Sequence, residues 1–239
     1  MPDNIRNDNL ESMAQALYDY WFVQFDFPDE NGKPYKSSGG KMVWNSQLGQ
    51  EIPDGWKVTK LADLIEPLVT GKLDANASED GGKYPFFTCS AAPLEINSFS
   101  FDEDAIILAG NGDFYIFDYN GKFDVYQRDY VIIPKEGESK QYLYLTIARN
   151  LRILKDKAQG SIIKFLTKGM IENIPVFALD WNRYQELKRT LQNLFVKRFN
   201  VQKEISTLTK QRDFLLPLLM NGQVQVKPQG ELNYHLSAD

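Results

Sequence analysis

The chain has almost none of the side chains on which most metal sites, disulfides and nucleophilic centres depend. Its 239 residues include one cysteine, Cys89, and one histidine, His235, which lies in a polar C-terminal stretch. A single cysteine excludes an internal disulfide framework. A single histidine nearly excludes histidine-based catalytic triads and His-rich metal sites. Cys89 therefore has no obvious histidine partner to activate it.

Sequence motifs for nucleotides, methyl donors and membranes are also missing. The chain has no GxGxxG, no GxxxxGKS/T and no Asn-Pro-Pro-aromatic tetrad of the kind used by amino-methyltransferases. Carboxylates near lysine, at 138–140 and 186–188, are too common by chance to indicate a nuclease. No N-terminal run reads as a signal peptide or a membrane span. We therefore expect a noncatalytic, cytoplasmic protein without a membrane partner.

The net charge of −5 conceals segments of opposite sign. Residues 1–30 carry seven acidic side chains and one basic one, and residues 91–121 carry six acids and no base. Residues 122–168 then carry ten Lys or Arg against five acids. Such runs are typical of solvated faces, or of a surface that follows DNA phosphates. A steep salt dependence of DNA binding would favour the second interpretation.

The most regular pattern is a heptad repeat near the C-terminus. Its ten positions, alternately three and four residues apart, are Tyr184, Leu187, Leu191, Leu194, Arg198, Val201, Ile205, Leu208, Arg212 and Leu215. Eight of them are apolar or aromatic, and the other two are arginines. The spacing predicts one long helix over 184–215, roughly 45 to 50 Å at ~1.5 Å per residue.

The same helix is strongly basic. Residues 181–212 hold eight Lys or Arg against Glu186 and Glu204. Polar residues at a-type positions fix register and partner in coiled coils, so Arg198 and Arg212 indicate a specific helix pairing. The alternative is that the helix packs across its own globular domain.

The remaining pattern predicts an α+β fold. Its parts are an N-terminal helix and connector (1–45, helix at 10–21), a mixed α/β domain (46–180), the long helix (181–220) and a tail (221–239). Short apolar runs predict strands at 105–108, 114–117, 130–133 and in SIIKFL after Gly160, and residues 141–150 predict a helix. Asn111-Gly112 and Asn120-Gly121 predict turns.

Eight phrases, in this order, carry a family resemblance: YDYWFVQFDFPDENGKPYKSSGGKMVWN, EIPDGW, TGKLDAN, KYPFFTCS, GNGDF, YQRDYVI, QGSIIKFLTKGMIENIPV and QRDFLLPLLMNGQV. From about Leu17 to Val226 the chain resembles the specificity (S) subunit of Type I restriction-modification systems. The resemblance implies a target recognition domain that reads half of a split DNA site, and a long helix that sets the distance to the other half.

Full-length members look like two such units in tandem, with antiparallel long helices, whereas this chain has room for one. It is then either a natural half-subunit that forms a homodimer or the second half of a longer product. The resemblance implies that the chain directs adenine methylation and restriction by partner subunits. S-adenosylmethionine would bind the methyltransferase subunit, ATP and Mg the restriction subunit, and no cofactor this chain. A noncatalytic assembly or decoy protein without DNA readout is the alternative.

Candidate DNA contacts follow from side-chain chemistry. The amides of Asn76, Asn111 and Gln127 can pair with adenine edges, and Arg128 can fork onto guanine. Tyr115 and Tyr126 can bond the DNA backbone or stack on a distorted base. The candidate phosphate contacts are Lys72, Lys83, Lys122, Lys164 and Lys168. Alternatively, Asn111-Gly112 only makes a turn and both tyrosines are ordinary strand residues.

Overall fold

The computed structural model describes residues 2–157 and 165–222. Its helices are α1 (Pro2–Phe22), α2 (Leu61–Leu64), α3 (Lys140–Lys157), α4 (Lys168–Glu172) and α5 (Gln185–Met220). Its strands are β1 (Met42–Asn45), β2 (Gln50–Pro53), β3 (Lys57–Lys60), β4 (Val69–Thr70), β5 (Tyr84–Phe87), β6 (Leu94–Ile96), β7 (Phe101–Leu108), β8 (Ile116–Val125), β9 (Tyr130–Ile132) and β10 (Pro175–Ala178). The α+β class is therefore confirmed.

Six strands form the main sheet, in the order β4-β9-β7-β8-β5-β6. Its pairings are antiparallel except for β5 with β8. The sheet curls until the chain after β4 meets the end of β8: Leu73 pairs with Tyr126, and a Cβ on Gly71 would lie 1.7 Å from the Val125 carbonyl oxygen. Only glycine permits that approach, so Gly71 closes the sheet.

The second half of β7 is apolar at every position because both faces of the sheet are buried there. Ile106 and Leu108 belong to the large core shared with the helices. Ala105 and Ile107 point the other way, into a smaller core with Phe87 and other side chains inside the curled sheet. Successive strand residues face opposite sides, so a continuous apolar run serves two cores.

The aromatic phrase that ends α1 supplies much of the large core. Phe22, Phe25 and Phe27 surround Trp56, with ring centroids 5.0 to 5.8 Å apart. The Tyr18 hydroxyl, just before them, lies 3.1 Å from Thr146 Oγ1 on α3. Burial of these rings joins α1 to the mixed domain rather than leaving it as a separate appendage.

The acidic helix α1 packs against the basic helix α5 within the same chain. The rings of Trp21 and Tyr184 are 5.5 Å apart, and Glu11 Oε2 lies 3.8 Å from an Arg198 guanidinium nitrogen. The two helices are therefore antiparallel. The opposite charges of the two helices therefore meet within one chain.

Helix α5 divides into two halves with different surroundings. Leu187, Leu191, Arg198 and Val201 are buried in the chain's own core, whereas Leu208 is 48% exposed. Contacts with α1 place the first residues of α1 level with about residue 207, so α5 continues ~20 Å further. We call residues 208–220 the overhang. Its exposed apolar side chains are Leu208, Phe214, Leu215, Leu216, Leu219 and Met220.

The heptad prediction is thus correct about the helix and incomplete about its packing. Leu194 and Ile205 are half-buried, Arg212 and Leu215 are exposed, and the buried Phe195 lies outside the predicted seam. Arg198 is only 7% exposed, and its guanidinium lies over the Tyr144 ring at 5.1 Å, so it contacts this chain's α3 rather than a free seam.

Other local predictions met mixed outcomes. Residues 105–108, 130–132 and 141–150 lie in β7, β9 and α3 as expected, and Asn111-Gly112 begins a turn. The predicted turn at Asn120-Gly121 is wrong, because both residues lie inside β8, opposite Asp104 and Glu103. β8 begins at Ile116, so 114–115 are not strand, and α1 is longer than 10–21.

The predicted boundary between residues 45 and 46 falls inside the β1–β2 hairpin, so the structure does not divide the chain there. The SIIKFL segment and the tail 221–239 lie largely outside the described residues. Within the described ranges, no helix is both long and apolar enough to cross a lipid bilayer.

Candidate nucleic-acid interface

Four segments of the mixed domain meet at the place where the sheet closes. A β-turn, closed by the Asp129 N–H to the Tyr126 carbonyl oxygen at 2.9 Å, presents Gln127 and Arg128 at its exposed tip. The Gln127 N–H donates to the Leu73 carbonyl oxygen at 2.9 Å, which attaches this turn to the segment after β4. Tyr126, Gln127 and Arg128 are thereby brought beside the loop that carries Lys72 and Asn76.

The loop after β7 packs against the same turn. A Cβ on Gly110 would lie 1.9 Å from the Arg128 carbonyl oxygen, so the two backbones are in direct contact. Asn111 follows immediately and is half-exposed. The loop continues through Gly112 at φ +70° and the buried Phe114 at φ +52°. Left-handed backbone at a bulky residue is costly, so the surrounding structure tightly constrains this loop.

Asp129 connects these loops from inside. Its side chain is 0% exposed, and Oδ1 accepts the Gly110 N–H at 3.3 Å and the Cys89 thiol at 3.0 Å. Among the described residues, Oδ2 has no hydrogen-bond partner. Burial raises the pKa of this carboxyl to about 6, and burial beside Asp129 raises the pKa of the Cys89 thiol to about 11. Cys89 is therefore a neutral donor rather than a reactive thiolate.

The candidate amides are positioned by a second aspartate. Asp74 Oδ1 accepts the Asn76 backbone N–H at 3.2 Å, and Asp74 Oδ2 accepts the Gln127 side-chain amide at 3.3 Å. The side chains of Asn76 and Gln127 are both exposed. Asp74 thus links two predicted base-reading residues that lie far apart in sequence.

Lys168 and the segment before it border the Asn111 loop. The Leu166 N–H donates to the Gly110 carbonyl oxygen at 2.7 Å, and Phe165 forms a bridge with Asn111. Lys168 Nζ donates to the Leu68 carbonyl oxygen at 3.2 Å and lies 3.6 Å from Glu172. A phosphate contact by Lys168 would therefore compete with these partners.

Tyr115, Lys83 and Lys122 occupy other positions. The Tyr115 hydroxyl donates to Asp113 at 3.2 Å, and this bond raises its pKa. Lys122 lies on β8 with Nζ 4.6 Å from the centroid of the Phe99 ring, which in turn contacts Tyr84, the neighbour of Lys83. Lys122 therefore lies beside Phe99 rather than in the Asp129 group. Lys164 lies outside the described residues.

Sequence reasoning missed three residues at this site. Asp74 and Asp129 were not singled out because acidic side chains do not suggest a DNA contact. Asp129 follows Tyr126-Gln127-Arg128 directly, but only the structure shows that it faces inward. Phe165 was assigned to a strand, although its side chain is among the more exposed aromatic ones.

Comparison with known proteins identifies the family. The family model for the Type I restriction modification DNA specificity domain matches residues 53–177. The Type I restriction enzyme EcoDI specificity subunit of Escherichia coli is 36% identical over 178 residues, which cover 73% of this chain and 40% of that protein. The MjaIX specificity subunit of Methanocaldococcus jannaschii is 27% identical over 246 residues, covering 93% and 54%. This chain spans about half the length of these curated relatives.

Solved structures show the same fold. The crystal structure of a Type-I restriction-modification system S subunit from M. genitalium superposes with a TM-score of 0.59 at 19% sequence identity, covering 90% of this chain and 56% of that one. The family assignment rests on the sequence match. The matched residues contain every element from β3 to α4 and the first three residues of β10. Since the family model covers more than half of the chain, this protein belongs to the Type I restriction-modification DNA specificity family.

Proposed function

We propose that this chain is a noncatalytic DNA-recognition subunit that directs adenine methylation by a partner to a split target. The convergence of Asn76, Asn111, Gln127 and Arg128 around Asp74 and Asp129 carries the proposal. These side chains have the donors and acceptors that read base edges, and they project from turns whose backbones contact one another. Family membership supports the same function.

The overhang supports a homodimer. The first half of α5 is buried in the chain's own core, which leaves the apolar residues of 208–220 for another helix. A second copy, packed antiparallel on the same residues, would give a two-fold dimer with a reader at each end. Such a dimer reads a palindromic target with a spacer set by the two helices.

The proposed partners supply the chemistry. A methyltransferase subunit would bind S-adenosylmethionine, and a restriction subunit, where one joins the complex, would bind ATP and Mg. This chain would contribute no cofactor site. Its role is to place the partner's active centre at one DNA sequence.

Co-expression with the cognate methyltransferase subunit, followed by mapping of methylated adenines across the host genome, tests the proposal. We expect one split motif whose two halves are inverted copies. A matched culture lacking this chain should show no such pattern. Assembly without any sequence-dependent methylation would instead identify an assembly or decoy protein.

A further inference from the structure

Phe165 stands out among the apolar side chains near the Asp129 group. It is 63% exposed, whereas the next residue, Leu166, is buried at 4%. An isolated exposed phenylalanine needs no explanation by itself. The position of Phe165 does need an explanation, because this residue borders the loops that carry the proposed base-reading residues.

The backbone around Phe165 is held from two sides. Phe165 bridges to Asn111, and the Leu166 N–H donates to the Gly110 carbonyl oxygen at 2.7 Å. The Leu166 carbonyl oxygen accepts the Tyr130 hydroxyl at 3.0 Å. The ring is therefore displayed from an anchored strand-like segment.

The surroundings of Phe165 suit a nucleic acid. Its cross-bridge neighbour Asn111 has an amide that can read a base edge, and Gly110 brings Arg128 to the same loop. The first ionisable residue after Phe165 is Lys168. An apolar ring beside amide and cationic groups matches the combination with which proteins unstack or cover a base.

We propose that Phe165 stacks on a DNA base next to the base read by Asn111. The inference rests on the proposed DNA-recognition function and adds an aromatic contact to it. Stacking uses the π-face that every base has, so Phe165 contributes affinity and fixes the position of the base, while Asn111 and Arg128 supply sequence choice.

The test measures equilibrium binding of the assembled complex with the methyltransferase subunit to a labelled duplex carrying the mapped motif. Phe165→Ala should weaken binding about 5- to 150-fold, the range found when a base-stacking aromatic is truncated. Phe165→Tyr should stay within about 3-fold of wild type, since it keeps the ring. Phe165→Leu should weaken binding almost as much as Phe165→Ala, because leucine keeps apolar area but has no π-face.

The salt dependence separates stacking from a general loss of charge contacts. Phe165 is uncharged, so the slope of log affinity against log salt should match wild type in all three variants. Trp44→Ala provides a matched control, since Trp44 is an exposed aromatic on the β1–β2 hairpin, and this variant should bind like wild type.

The outcomes are distinct. If the wild-type complex shows no preference for the motif, the proposed function itself fails. If wild type binds specifically but Phe165→Ala binds equally well, or Phe165→Leu retains full affinity, only the stacking inference is overturned. Thermal unfolding of each variant should stay near wild type, and a large decrease for Phe165→Ala would assign the ring a structural role instead.

Discussion

Asp129 is a buried carboxyl whose environment favours its protonated form. It accepts hydrogen bonds from Gly110 and Cys89, yet Oδ2 has no partner among the described residues, and no cation is paired with it there. Burial raises its pKa from 3.8 to about 6. The energetic consequence is opposite to that of a salt-bridged aspartate, because ionisation here destabilises the folded state.

This predicts an unusual pH dependence of stability. Because the folded pKa lies above the unfolded one, the contribution of Asp129 is fully present below about pH 4 and is lost as pH rises to about 6. Relative to Asp129→Asn, which cannot ionise, the wild-type free energy of unfolding should fall by about 2 kcal/mol between pH 4 and pH 6. Urea unfolding of both proteins from pH 4 to 7 measures the difference.

Asp102→Asn, an exposed change on β7, serves as the control for losing a carboxylate. The curve of unfolding free energy against pH should keep the wild-type shape in Asp102→Asn, whereas it should change in Asp129→Asn. Parallel wild-type and Asp129→Asn curves would show that Asp129 is ionised at no cost.

Arg128 is predicted to determine sequence choice at one position of each half-site. Arg128→Ala should remove about 1–3 kcal/mol of discrimination against the wrong base and leave the remaining motif unchanged. Methylated-adenine mapping reads this directly as a relaxed position. Arg189→Ala, on the exposed side of α5, removes the same charge away from the site and should preserve the motif. An intact motif in Arg128→Ala would exclude this role.

Lysine contacts to phosphate should show in the salt slope rather than in the motif. Lys72→Ala should weaken binding to all duplexes alike and reduce the slope of log affinity against log salt by about 1. Fluorescence anisotropy over a salt series measures both quantities. Lys203→Ala, an exposed lysine on α5, is the matched control. A change in sequence preference for Lys72→Ala would instead indicate a base contact.

Residue chemistry was enough to propose the amides and Arg128, because hydrogen-bonding groups can be recognised without coordinates. It was not enough to find Asp129 or Phe165. Whether a side chain faces inward depends on the Tyr126–Asp129 turn, and whether a ring is exposed depends on the bridge between Asn111 and Phe165. The bridge is a long-range pairing, and the turn is held by long-range backbone contacts with Leu73 and Gly110, which local spacing does not encode.

At the scale of elements, the heptad pattern of α5 predicted a helix but not which partner covers it. Its first half packs on α1 and α3, and Phe195 joins the buried set because α3 presents Tyr144 to it, with ring centroids 5.2 Å apart. The Asn120-Gly121 dipeptide was read as a turn, yet both residues pair with β7 inside strand β8. In both cases tertiary contacts override a local signal.

The two halves of α5 should respond differently to the same substitution. Leu191 is fully buried, so Leu191→Ala should lower the free energy of unfolding by about 2–5 kcal/mol. Leu208→Ala changes an exposed side chain of the overhang and should stay within about 0.5 kcal/mol of wild type at protein concentrations where the chain is monomeric. Chemical denaturation monitored by circular dichroism gives both values. Equal losses would mean that the overhang is also buried in the chain's core.

For the whole molecule, the exposed overhang predicts self-association. The purified chain should sediment as a dimer, and the double change Leu208→Glu with Leu215→Glu should give a folded monomer, because two like charges would oppose each other across the seam. Val23→Glu, a change at an exposed residue directly after α1, should remain dimeric. A wild-type monomer at all concentrations would favour a tandem subunit of which this chain is one half.

The division of α5 also separates where the protein can change length from where it cannot. An insertion before Val201 would shift buried side chains out of the core, whereas seven residues added within 208–220 would preserve the apolar stripe. Each added heptad lengthens the helix by ~10.5 Å, equivalent to about three base pairs of B-form DNA. New gaps between half-sites could therefore arise by duplication of one short stretch of coding sequence, with the reading loops unaltered. Spacer and recognition sequence would then evolve as independent characters of a single gene.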